Sequence, residues 1–162
     1  MPYFAAALAR SPEGWHGREV DMEHVEDLDT LVELLRDVAE GTTVLFFLEE
    51  DDEYLAIVRV DGDGDPRTFI SDDRAVGTSP LASLVMEDLA PPEDVEVDED
   101  DDEGVRPDAE VAGDAEIVAS LGVSADALVA LCATEGMLPA DIVTAICEKA
   151  GCADTLDQIR EG

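Results

Sequence analysis

Residues 43–73, TVLFFLEEDDEYLAIVRVDGDGDPRTFISDD, decide how this chain folds. Val44–Leu48 is an unbroken apolar run, short and rich in branched and aromatic residues, which reads as a strand buried on both faces. A polar turn over Glu49–Glu53 leads into a second strand, Tyr54–Val60. Asp61–Pro66 reads as another turn, because Gly tolerates positive φ and Asp bonds its own backbone. Arg67–Ser71 gives a third strand, so the centre is a three-stranded antiparallel meander.

Around this centre the chain supplies further elements. Tyr3–Arg10 reads as a first strand, Ser11-Pro12-Glu13-Gly14 as a type I turn, and Trp15–Val20 as a returning strand. Trp15 reads as a sheet-packing residue rather than a ligand platform. Thr30 and Glu33 have capping-box spacing for a helix running to about Glu40 and closed by Gly41. Leu28, Leu31, Val32, Leu34, Leu35 and Val38 gather on one side of it, to cover one sheet face. Ser79-Pro80 opens a second helix with Leu81, Leu84, Val85 and Leu89 as its stripe.

From about Ala90 to Gly113 prolines and massed acids leave few large apolar residues, a composition that reads as a disordered linker. Helical patterns resume over Asp114–Leu121 before Gly122, from Ser124 to about Thr134, and from Pro139 to Ala150 before Gly151. A short turn covers Thr155–Arg160. Val118, Leu121, Leu128, Leu131, Ile142, Ile146, Leu156 and Ile159 form a small core, which docking on the sheet or on a partner would complete. The division is thus an α+β sheet domain over 1–89, an acidic linker over 90–113 and a helical module over 114–162. The fold expected is an antiparallel sheet of about five strands with two packed helices.

The 162 residues carry a net charge of −33. Glu93, Asp94, Glu96, Asp98, Glu99, Asp100, Asp101, Asp102 and Glu103 form a run without a base, and most of the 42 acids lie outside it. Such a field opposes nucleic acid and anionic lipid and favours basic protein partners, with the acid run as the candidate contact. The plain alternative is that the acidity serves solubility, or suits a salty or GC-rich host. No stretch has the length and apolarity of a membrane span, and no signal peptide opens the sequence. Three cysteines, Cys132, Cys147 and Cys152, form no paired framework, which suits a reducing cytoplasm.

The opening MPYFAAALAR, the core VLFFLEEDDEYLAIVRVDGDGDPRTFISDD, the acidic linker and the tail LPADIVTAICEKAGCADTL together resemble the actinobacterial tRNA adenosine deaminase-associated protein family. The resemblance implies a place in the tRNA wobble-inosine pathway; it carries over no residue role.

The chain also departs from a deaminase itself. That chemistry needs zinc ligands from an H-x-E and a P-C-x-x-C segment. His24-Val25-Glu26 matches the first, but Cys147 and Cys152 have four residues between them, follow Ile146 rather than Pro, and lie in the tail. Asp61, Asp63 and Asp65 have calcium-loop spacing and Asp72 falls twelfth. Pro66 replaces the needed Gly, Asp72 replaces the bidentate Glu, and strands flank the loop, so a hairpin turn is the better account. The three cysteines lack a fourth zinc ligand and read as buried helix-face residues. No catalytic residue, cofactor or metal is therefore assigned. The function expected is a non-catalytic accessory protein acting by contact with tRNA adenosine deaminase. The alternatives are an acidic nucleic-acid mimic for another basic protein and an enzyme with an unrecognised site.

Overall fold

Strand pairing follows the apolar runs. The computed structural model describes residues 3–39, 43–50, 54–61, 66–72, 75, 79–86, 111–134 and 136–161. Strands β1 (Tyr3–Ser11), β2 (Gly14–Glu19), β3 (Thr43–Glu50), β4 (Tyr54–Asp61) and β5 (Arg67–Ile70) form an antiparallel sheet, completed by a two-residue β6 (Ala112–Gly113). The order is β2-β1-β3-β4-β5-β6. The first hairpin closes with Ser11 opposite Gly14, whose φ of +129° suits glycine.

Successive side chains alternate between faces, so neighbouring phenylalanines enter different cores. Phe46 lies across from Ala7 and Val58, and Phe47 across from Ala6 and Ile57. On the first face, helices α1 (Leu28–Ala39) and α2 (Pro80–Val85) cover Phe46 with Leu31, Leu35, Ala82 and Val85. On the second, α3 (Ala125–Ala133), α4 (Pro139–Ala150) and α5 (Ala153–Glu161) cover Phe47 with Leu128, Ile142, Ile146 and Leu156. The architecture is α+β in three layers, and the C-terminal helices share one core with the sheet. Ala5, Ala6, Ala7 and Ala9 in β1 are fully buried, and their small side chains let helices approach from both sides. Gly17 does the same at the edge, where a Cβ would stand 2.5 Å from the Ala7 carbonyl oxygen and 3.0 Å from Ile159 Cδ1.

Several local expectations are corrected. Glu49 and Glu50 extend β3 and are buried instead of starting a turn, because Arg160 and Ser79, both distant in sequence, meet them together with Tyr54. Arg160 donates to Glu49, while Tyr54 Oη and Ser79 Oγ donate to Glu50. The cap of α1 is Asp27, not Thr30: Asp27 Oδ1 accepts from Thr30 N at 2.9 Å and from Thr30 Oγ1 at 2.7 Å. Those bonds, the backbone one first, hold the Asp27 carboxyl below its ordinary value.

Residues 114–121 make turns and a 3₁₀ segment (Ala119–Leu121), not a helix. Asp114 Oδ1 takes the Glu116 amide, and Arg59 takes the Ile117 carbonyl that a helix would have used. Strand pairing reaches into the expected linker, since Ala112–Gly113 pair with Phe69–Ile70. The tail ends in a nine-residue helix where a short turn was expected. The caps at Ser79 and Ser124 stand as read, each accepting an amide at 3.2 Å. Gly41, Leu89 and residues 90–110 of the expected linker lie outside the described residues.

Phe46 and Phe47 are both fully buried, so Phe46→Ala and Phe47→Ala should each lower the unfolding free energy by about 3–5 kcal/mol. Urea denaturation checks this. A nearly neutral Phe47→Ala would show that the C-terminal layer is not closed on the sheet.

Candidate functional site

The residues singled out from sequence fall in separate places. The acid run Glu93–Glu103 lies outside the described residues, as do Asp63 and Asp65. His24 ends an exposed 3₁₀ turn and pairs with Asp21 at 3.3 Å, while neighbouring Met22 and Val25 enter the α1-face core. Cys132, Cys147 and Cys152 belong to the core on the opposite face, so the sheet stands between the H-x-E segment and the cysteines. Among the described residues, no group of three or more His, Cys, Asp or Glu is placed to hold a metal ion. Asp61 accepts from Thr43 Oγ1 at 2.8 Å and from Arg59 Nε at 3.0 Å. Burial pushes its carboxyl up, but those two bonds and nearby arginines outweigh it, and the pKa ends below its ordinary value. Trp15 packs at the second-face core, its Nε1 donating to the Ala150 carbonyl at 3.3 Å.

Cys147 and Cys152 occupy the end of α4, where the Gly151 and Cys152 amides both donate to the Cys147 carbonyl at 2.8 Å. Gly151 takes the left-handed conformation that this helix ending requires. The paired sulfurs pack into the core, and the bond with Cys152, then burial, push the Cys147 thiol up. Burial alone raises Cys132 to about 11. Both thiols stay protonated at neutral pH, so they serve as small apolar groups.

Among the described residues Arg59 pairs with Asp61 of its own strand, and Arg67 and Arg160 pair with acids distant in sequence. Arg59, only 8% exposed, donates to Asp61, to the Ile117 carbonyl at 2.8 Å and to Ser120 Oγ at 2.9 Å. Arg67 Nε reaches Asp114 at 2.7 Å, and this bond chiefly holds the Asp114 carboxyl below its ordinary value. That stabilisation is present above pH 3.8 and fades as acid protonates the folded carboxyl. Arg160 pairs with buried Glu49 and lies 4.3 Å over the Phe4 ring. With Arg59 buried and the other two cations engaged by acids, the outer surface stays acidic. On α1 the exposed residues Asp29, Glu33 and Asp37 recur every four positions, spaced about 6 Å along the axis.

A groove of about 400 Å³ opens between α3 and α4, lined by Val123, Ala127, Ala130, Leu131, Ala145 and Lys149 among others. Val129 and Leu138, the large hydrophobics exposed among the described residues, lie on α3 and beside the start of α4. Sequence reading passed over this surface. Its signal was α3 itself, whose residues ADALVALCA are apolar at all positions but Asp126.

The described residues thus present an acidic face on α1 and an apolar groove beside α3. A protein-family model describing Rv3753c-like tRNA adenosine deaminase-associated proteins matches residues 3–153. The chain belongs to this family. The match spans the sheet, α3 and α4 and stops at the first residue of α5, and the family is described as associated with the deaminase rather than as a deaminase. No curated protein and no solved structure matches the chain.

Arg59 is the deepest of the cross-layer cations, so Arg59→Met should strand the Ile117 carbonyl. We expect a loss of about 1–3 kcal/mol in urea denaturation. Arg67→Met, at a half-exposed pair, should lose no more than about 1 kcal/mol. Equal effects would mean that the Arg59 contacts do not hold the layers.

Proposed function

We propose that this family member is a non-catalytic accessory protein of tRNA adenosine deaminase, acting through protein contact made by its acidic surface. The observation that carries the reading is the family match across residues 3–153, whose description names that association. Charge supplies the physical route. An enzyme that binds tRNA must offer a basic surface, and a chain with net charge −33 is attracted to it in place of phosphate. The stripe Asp29, Glu33 and Asp37 on α1 presents carboxylates at regular intervals, and the run Glu93–Glu103 adds nine more acids. Occupying the tRNA-binding surface would restrain, stabilise or deliver the enzyme.

Titrating the purified chain against the deaminase of the same organism tests this. Association should weaken steeply as salt rises from about 50 to 500 mM, because screening shortens to a few Å. tRNA should compete. Neutralising Asp29, Glu33 and Asp37 to Asn or Gln should slow association more than it speeds dissociation, since rim charge chiefly steers encounter. A complex indifferent to salt that forms equally with tRNA bound would overturn the acidic-surface contact, and absence of any complex would overturn the deaminase partner.

A further inference from the structure

Strand β2 lies at one end of the sheet and pairs with β1 on one side only. In an antiparallel ladder, alternate residues turn their backbone groups toward the partner strand and away from it. The Val20 amide donates to the Ala5 carbonyl at 2.8 Å, which sets the parity of the β1–β2 register. His16 and Arg18 therefore bond β1, while the amides and carbonyls of Gly17 and Glu19 point outward. Among the described residues nothing meets those outward groups. The neighbouring outward carbonyl, that of Trp15, accepts from Thr155 Oγ1 at 3.3 Å. The β1–β2 pairing runs without a bulge and β2 contains no proline, so neither device blunts this edge.

Two hollows of about 420 Å³ flank the edge, one on each face of the sheet. Trp15, Gln158 and Ile159 line the one beside α5, and His16, Arg18, Asp37 and Val38 line the one beside α1. Both reach His16, Gly17 and Arg18, so a strand laid along β2 sends alternate side chains into each. Gly17 brings no side chain to the α5 face, and Ile159 lies against it, where a Cβ would stand 3.0 Å from Ile159 Cδ1. A large apolar side chain opposite this glycine meets an apolar floor. Glu19 shares that face two positions on, exposed and without an ion pair among the described residues.

The same parity speaks against a second copy. In an antiparallel pairing of β2 with itself, outward residues meet only outward residues. Glu19 then faces Trp15, Gly17 or Glu19, never a base, and Arg18 faces Gly14, His16 or Arg18, never an acid. Each copy also carries −33.

We infer that the outer edge of β2 receives an extended segment of a partner protein as an added antiparallel strand, with a base opposite Glu19 and, two residues on, a large apolar side chain opposite Gly17. Nothing in this edge depends on the partner being the deaminase.

The test uses the full chain and a fluorescein-labelled peptide, Thr-Thr-Lys-Thr-Phe-Thr-Thr, whose threonines favour an extended backbone. Anisotropy should report binding. Amide exchange followed by NMR should slow at Gly17 and Glu19, while His16 and Arg18, already bonded to β1, change little. The same peptide N-methylated at its Lys and Phe amides keeps its charge and side chains but loses the donors facing β2. It should bind at least about tenfold more weakly. Glu19→Pro removes an outward amide and spares the bonds to β1, so it should weaken binding by a similar factor without moving the melting curve. Glu19→Gln, which removes charge alone, should weaken it less. Should Glu19→Pro misfold, the N-methylated peptide still decides. Equal binding of that peptide, protection that bypasses Gly17 and Glu19, or no binding at about 1 mM peptide overturns the added strand. A chain that sediments as a dimer, and as a monomer with Glu19→Pro, overturns the partner segment in favour of a second copy.

Discussion

Burial of β3 and β4 on both faces is the constraint that organises this protein. Val44–Leu48 and Tyr54–Val58 lie fully or almost fully out of solvent. Apolar side chains pointing alternately up and down cannot be satisfied by one covering layer. The chain therefore supplies two. The first comes from α1 and α2, close in sequence to the strands they cover, and the second from α3–α5 at the far end. β6 ties the returning chain to the sheet edge beside β5 before the helices begin.

The same arrangement explains how so acidic a chain holds together. Its cations are few, and three of them are spent across layers: Arg59 and Arg67 on the segment leading to α3, Arg160 on β3. Buried Glu49 and Glu50 are tolerated because a guanidinium and two hydroxyls meet them. Outward, the charge is left unbalanced, in a chain of net charge −33. The sheet is thus a scaffold with unlike faces: an acid-striped helix over one and an apolar, groove-bearing pair over the other.

Much of this was legible in the residues. Continuous apolar runs marked strands buried twice over, and Ser79-Pro80, Ser124, Pro139 and Gly151 marked helix ends through purely local chemistry. The misreadings share a cause. Glu49 and Glu50 looked like a turn because Arg160 and Ser79, which meet them, lie far off in sequence, and Asp114–Leu121 looked helical because Arg59 was not known to claim the Ile117 carbonyl. Asp27 and Thr30 compete for one cap, and only the chain's path decides between them. The α3 surface was missed for a different reason. Leu128 and Leu131 were assigned to a core, and periodicity does not tell which apolar face of a wholly apolar helix stays outside.

The central claim is that the sheet's second face requires the C-terminal layer. Expressing residues 1–110 alone and following urea unfolding and association state tests it most directly. Without that layer, Leu45, Phe47, Leu55 and Ile57 lose their cover, leaving an apolar face larger than monomers normally expose. The account predicts a fragment that self-associates and unfolds without a sharp cooperative transition. A monomeric fragment with a steep transition like that of the full chain would contradict it.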